Sequence, residues 1–337
     1  LEDTADSFHK FSQKDSASFG RVMRSWRKMV SEIIAPGTYV PPMAPVDMAV
    51  AMQRTELGQE IMEITEQSPL DIITSHFEND RVRALLLYTC CMWGLDPRET
   101  GVGLFVPLLI DRGMNKCYCQ GGSHKLAASL AREIVGAGGC ILDSSQVNKI
   151  SITNGAVSGV ELWEGRTLQS EVVVSSLDPH STFLDLVGTE NLAGDLKDSV
   201  QGWTWDKWSY NTLHAASEEV PHYACRDPQA SEAFMTIVGF EGTDQVLAHW
   251  DNVVAGKIDM ESFGGHVTCQ TLFDSHLSRF PGKQVSFFQM HAPYGIEGGW
   301  EKRGPEMEEA MLAKWRKAAP NMNPENIIRT SLETPED

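Results

Sequence analysis

The chain has 337 residues, 42% of them apolar and 22% charged, a globular balance that excludes disorder and a fibrous habit and leaves room for one large or two ordinary domains. Its formal net charge of -18 argues against nucleic acid as a partner, because phosphate binding is driven by Lys and Arg. The same charge opposes electrostatic attachment to an anionic membrane, although a local apolar patch remains compatible with peripheral contact.

The first third reads as helical. Phe8, Phe11, Phe19, Val22, Met23, Trp26, Met29 and Val30 recur at three- and four-residue steps with basic residues between them. Pro36-Gly37 ends that run, and Pro41-Pro42 and Pro45 mark a loop. Further helices are predicted at Val46 to Met52, Pro69 to Phe77 and Asp80 to Trp93, the last with Asp80 as its N-cap. Its segment Ala84 to Trp93 is the longest apolar run and is far short of the roughly 18 to 20 residues that span a bilayer.

After Gln120-Gly121-Gly122-Ser123, Leu126, Leu130 and Ile134 give a helix with one apolar stripe, closed by Gly136, Gly138 and Gly139. Strands are predicted from Cys140 to Val147, Lys149 to Ile152, Val157 to Trp163 and Ser170 to Ser176. The Asn154-Gly155 pair marks a tight turn between the second and third. The continuous Val172-Val173-Val174 reads as a strand buried on both faces. A short helix follows around Thr182 to Val187. From Trp203 onward strand signals dominate: Ser209 to Ala215, Ala233 to Phe240, His266 to Phe273 and Gln284 to His291. Pro305 to Ala318 is again helical.

The order of pieces from Gln120 to Gly188 resembles the phytoene-desaturase family and, more loosely, the wider FAD-dependent amine oxidase superfamily. It runs Gly-Gly turn, amphipathic helix, glycine stop, strand ending in Val147, Asn-Gly hairpin, then Ser175-Ser176-Leu177-Asp178-Pro179-His180. Phe280-Pro281-Gly282-Lys283 before a strand ending His291-Ala292-Pro293-Tyr294 is similar to the family's substrate-domain sheet. Ala319-Pro320-Asn321 with Glu333-Thr334-Pro335 is similar to its return towards the flavin domain. The resemblance implies an α+β or α/β fold of flavin amine-oxidase type: a partial FAD-binding domain with strand hairpins and a substrate domain of mixed or antiparallel sheet and helices. Residues 1–114 would form the helical part of the substrate domain, 115–188 part of the FAD-binding domain, 189–310 the substrate-domain sheet, and 311–337 a helix returning towards the FAD-binding domain.

The resemblance also implies a cofactor and a site. FAD would lie beside Gly121 and Gly122, with Val147, Ser175 and Ser176 along its adenosine half through backbone groups. The bland alternative is that Val147 and the two serines are simply a strand and its exit. The implied activity is oxidation or desaturation of an apolar small molecule by hydride transfer to flavin, with no acid–base residue demanded by the chemistry.

That family needs a Gly-x-Gly-x-x-Gly turn for the pyrophosphate, and none is present. Gly101-Val102-Gly103 is followed by Val106, and Gly136-Ala137-Gly138-Gly139 stands after a helix and before a strand, the reverse of the required order. In the family the motif precedes the region matched here, and a second flavin-contacting stretch follows it. The expectation is therefore a truncated chain, or one whose site is completed by a partner chain or a second copy, unable to hold FAD tightly by itself. A first residue other than Met fits a fragment or processed product, and Leu1-Glu2-Asp3 lacks the features of a signal peptide. The alternative is a non-catalytic binding or assembly subunit that has lost its cofactor site.

Other constellations are weaker. Seven cysteines without framework spacing read as reduced thiols in a cytoplasmic or organelle-matrix setting, and Cys117-x-Cys119 lacks the second pair of a zinc site, so no metal is expected. His249, His266, His276 and His291 lie in the strand-rich half without metal-binding spacing. His291 and Tyr294, at the end of a strand, and Trp205, in the cluster Trp203, Trp205, Trp208 and Tyr210, are the substrate-cavity candidates, with ordinary packing as the alternative for each. Trp203 and Trp205 would share a face if they lay on a strand.

Overall fold

The computed structural model describes residues 1–225 and 227–337. It divides into a larger unit, Leu1–Gly122 with Lys207–Asp337, and a smaller one, Ser123–Asp206.

The larger unit begins with helices α1 (Glu2–His9), α2 (Gln13–Met29), α3 (Ala35–Gly37), α4 (Pro45–Gln53), α5 (Glu56–Thr65), α6 (Pro69–His76), α7 (Asp80–Cys91) and α8 (Phe105–Met114). On α2 the residues Phe19, Val22, Met23, Trp26 and Met29 form one buried stripe against Ile72 and Ile73 of α6 and Leu87 of α7. A capping box between Ser68 and Asp71 starts α6. The carboxylate of Asp15, fully buried, accepts the N–H groups of Glu78 and Asn79 at 2.8 Å each and so pins α2 to the turn before α7. The cap of α7 is Asn79, not Asp80 as expected. The Asn79 Oδ1 accepts the Arg81 and Val82 N–H groups at 3.0 and 3.4 Å, whereas Asp80 accepts the Thr243 N–H at 3.2 Å from another helix. In α4 no residue is buried, and Tyr39, Val40, Met43, Val46 and Val50 are exposed. Among the described residues no helix is long and apolar enough to cross a membrane.

The smaller unit holds α9 (His124–Gly136), the antiparallel sheet β1 (Val147–Thr153), β2 (Ala156–Leu162) and β3 (Thr167–Gln169), a π-helical segment His180–Gly188, and α10 (Gly194–Gln201). Asn154 and Gly155, at φ 53° and 76°, make the turn between β1 and β2 as their pairing predicts. Three strand expectations fail here. Pairing begins only at Val147, because Ser144 at φ 51° breaks the extended backbone after Cys140. Ser170 to Ser176 joins no ladder. The Ser170 hydroxyl accepts the Val172 N–H and donates to its carbonyl, a local alternative to strand pairing, and Val174 is 91% exposed rather than buried. Trp203 and Trp205 follow the end of α10 as irregular chain, exposed, with tilted rings 6.4 Å apart.

The larger unit resumes with β4 (Trp208–Ser217), β5 (Thr236–Val238), α11 (Thr243–Val254), β6 (Gly265–Cys269), β7 (Gln284–Pro293), α12 (Trp300–Ala318) and β8 (Ile327–Glu333). The five strands form one sheet in the order β5-β6-β7-β4-β8, antiparallel throughout. β5 is shorter than predicted because Gly239 turns at φ 90° hard against the Phe263 and Gly264 backbone, where no Cβ fits. α12 starts at Trp300, before the predicted Pro305, since the buried Trp300 indole anchors its first turn by donating to the carbonyls of Pro293 and Tyr294 at 3.2 and 3.0 Å. Leu213, Ala215, Phe288, Met290 and Ala292 point to one face of the sheet, where Met307, Met311 and Trp315 of α12 cover them.

Candidate functional site

The opposite face of the sheet is polar and aromatic. Register sets Tyr210 beside His291, Thr212 beside Gln289, His266 beside Gln289 and Thr268 beside Phe287, so these side chains share one surface. Part of that surface floors a cavity of about 570 Å³. Its floor is Tyr210, His266, Thr268, Phe287 and Gln289. Met92 and Trp93 at the end of α7, Leu109 of α8, Tyr118, Phe234 and Met235 supply apolar walls, and among the described residues Arg112 and Lys116 are its only formally charged lining residues. A wider depression of about 680 Å³ at Phe11, Lys14 and Glu78 is open and spanned by the exposed 2.7 Å Lys14–Glu78 ion pair. It has neither the enclosure nor the buried polar groups of a small-molecule site.

The floor is tied to α7. The His266 Nδ1 lies 2.9 Å from the hydroxyl of Tyr88, a fully enclosed side chain of α7. Burial, reinforced by the nearby Lys116 charge, depresses His266 to about 4, so its ring is neutral at neutral pH. Burial likewise pushes the Tyr88 phenol well above its ordinary range. Gln289 donates to the Thr212 hydroxyl at 3.0 Å. The Tyr210 hydroxyl donates to the Met92 carbonyl, tying β4 to the end of α7, and burial raises this phenol to about 12. Every titratable group on the floor is thus uncharged at neutral pH.

Of the predicted cavity residues, His291 lies on the same sheet face as the floor but outside the cavity lining. It stacks on Tyr210 at 4.8 Å, meets Trp250 edge-on at 5.2 Å, and is depressed to about 3 by burial and by His249 and His266. Its Nε2 has no partner. Tyr294 is 55% exposed and lines no part of the cavity, because the strand ends at Pro293 and its backbone alone is held, the N–H by the Lys207 carbonyl and the carbonyl by the Trp300 indole. Trp205 belongs to the smaller unit, edge-on to His180 at 5.8 Å. Sequence reasoning missed Tyr88, Trp93, Lys116, Phe287 and Gln289. The signal for the last two was present, since Phe287, Gln289 and His291 alternate along one strand.

The predicted flavin residues are spread over both units. Gly121 and Gly122, at φ 79° and 94°, fall at the end of the first segment of the larger unit, and the Gly121 N–H is taken by the buried carboxylate of Asp274. That bond, with a second from His276, holds Asp274 below the usual carboxylate range. In the smaller unit Val147 is half-buried at the start of β1. Ser175 shares a 2.8 Å hydrogen bond with Thr182, and Ser175 and Ser176 are both exposed. Nothing among the described residues makes a pyrophosphate cradle, and no group of three or more His, Cys, Asp or Glu is set to hold a metal.

No protein-family model matches the chain. Among solved structures it superposes on an oxidoreductase from Methanosarcina mazei with TM-score 0.55 and 15% identity, over 87% of this chain and 64% of that one. On an A394C mutant of putrescine oxidase the TM-score is 0.50 with 10% identity, over 95% and 61%. The fold, an antiparallel sheet backed by a long helix with a mixed helix-and-hairpin unit inserted, is that of the flavin amine-oxidase-like oxidoreductases.

Sequence relatives narrow this. The chain is 29% identical over 351 aligned residues to a limonene dehydrogenase subunit of Castellaniella defragrans, covering 99% of this chain and 64% of that protein. It is 20% identical over 268 residues to the lycopene-forming phytoene desaturase of Paracoccus sp., covering 79% and 51%. The chain is thus a relative of a limonene dehydrogenase subunit and of phytoene desaturases, and it spans between about half and two thirds the length of these curated relatives.

Proposed function

We propose that the chain is the substrate-binding part, with a portion of the FAD-binding part, of an oxidoreductase that oxidises or desaturates an apolar molecule held in the 570 Å³ cavity. The carrying observation is the cavity itself: aromatic and aliphatic walls over a floor of neutral polar groups, partly open to solvent. Bound flavin would supply the hydride acceptor, and the protein supplies the pocket and orientation. Unit Ser123–Asp206 is assigned to the flavin-binding part, with Val147, Ser175 and Ser176 at the adenosine. The missing pyrophosphate turn is to be supplied by another segment or partner chain, a reading supported by a relative that is itself one subunit of its enzyme. The exposed apolar side chains of residues 39–50 support peripheral contact with a membrane, from which an apolar substrate would be drawn.

The test is spectroscopic. Purified full-length gene product is expected to show flavin absorbance and to bleach when an unsaturated hydrocarbon such as limonene is added without oxygen. Colourless protein that refuses added FAD would overturn the proposal. It would favour the second reading, a binding or assembly subunit without cofactor, for which the lack of any Gly-x-Gly-x-x-Gly in the chain is the supporting observation.

A further inference from the structure

The charged lining of the cavity is out of character with the molecule. In a chain of net charge -18, the only formal charges that line the cavity among the described residues are two cations, Arg112 and Lys116. Neither is within 4.0 Å of a carboxylate among the described residues. The acids close by are already engaged. Asp111, adjacent to Arg112 on α8, pairs with Arg27 at 3.3 Å and accepts from the Asn115 amide at 3.0 Å. Asp274, whose charge reaches Tyr118, is held by Gly121 and His276. The Lys116 ammonium instead rests over the Trp93 ring, 5.4 Å from its centroid, and its charge is felt at His266. Both cations are exposed where they line the cavity, so an acid group placed there would meet two positive charges that no nearby carboxylate neutralises among the described residues. A neutral hydrocarbon gains nothing from this arrangement.

We infer that the cavity takes an amphipathic monoanion, its apolar body between the aromatic walls and its carboxylate, or an acid group of like charge, at the Arg112–Lys116 edge. This rests on reading the cavity as the substrate site and narrows the substrate class. The two cations fix which end of the molecule enters first. The tail goes in over Phe287 and His266 while the acid stays at the exposed rim.

The chain as it stands can be titrated calorimetrically with decanoate and with decan-1-ol, which match in length and differ in charge. Decanoate is expected to bind about three- to tenfold more tightly, a preference that shrinks as salt is raised. Arg112→Gln and Lys116→Gln should each remove about threefold of it while leaving the alcohol's affinity and the melting temperature unchanged. Equal or tighter binding of the alcohol, or an Arg112→Gln/Lys116→Gln double variant that keeps the preference, overturns the inference but leaves the apolar cavity reading intact. Absence of binding by both probes overturns both. Neither outcome depends on flavin, so failure here is distinguishable from failure of the spectroscopic test.

Discussion

The two units use the same kind of sequence pattern to opposite effect. In the larger unit the apolar periodicity is consumed by packing. The α2 stripe meets α6 and α7, the inner sheet face meets α12, and Trp26, Trp300 and Trp315 are almost wholly enclosed. In the smaller unit α9 carries an equally regular stripe, yet Leu126, Leu130 and Ile134 are exposed and no residue of the helix is buried. Val172 and Val174 behave alike. Amphipathicity shows which face of an element wants a neighbour, and it is silent on whether that neighbour is at hand. The larger unit is a finished core, whereas the smaller one is a layer with one face open.

Acid should strike the finished core hardest. His249, His266 and His291 are depressed by burial to about 4, 4 and 3 from an ordinary 6.5. The unfolded chain therefore takes up these protons first. Stability is at its full value above pH 6.5 and falls as the pH drops from there towards 4 and 3, by about 1.4 kcal/mol per pH unit for each histidine. Urea midpoints measured between pH 7 and pH 5 should show that slope, and His291→Gln should reduce it by about a third. A curve flat across this range would mean that the three rings are hydrated in solution.

Single substitutions sharpen the contrast between the units. Leu87→Ala, at a fully enclosed position, should cost about 2–5 kcal/mol in chemical denaturation. Asp15→Ala leaves two backbone N–H groups without their acceptor and should cost about 1–3 kcal/mol, with hydrogen exchange at Glu78 and Asn79 as the local readout. The smallest effect is expected in the smaller unit, where Leu130→Ala, 56% exposed, should stay within about 0.5 kcal/mol. Comparable losses at Leu87 and Leu130 would show that α9 is covered in solution and would break the comparison.

Much of this architecture was legible in the sequence because it is local. Asn154-Gly155 announced its hairpin, and the strands beginning near Ser209 and Gln284 were visible as β-rich runs. Misreadings arose where local composition spoke for an absent neighbour. Val172-Val173-Val174 looked like a buried strand, but a strand requires a partner ladder, and Ser170 satisfies that backbone instead. The cavity was hidden for a different reason. Its lining comes from the ends of α7 and α8, residues 116–118, 234 and 235, and three strands, segments that only tertiary pairing brings together. His291 was read on the right strand. That it would be roofed by Tyr210 and Trp250 was not readable from its own segment.

The discontinuity of the larger unit has a consequence for how the protein is made. Its β4 is flanked by β7 and by β8, so the sheet closes only once residues 327–333 have been synthesised. The smaller unit is continuous and can form while the rest is still on the ribosome. For that interval the helices of residues 1–122 wait for β4, β6 and β7, the strands that carry the floor of the cavity.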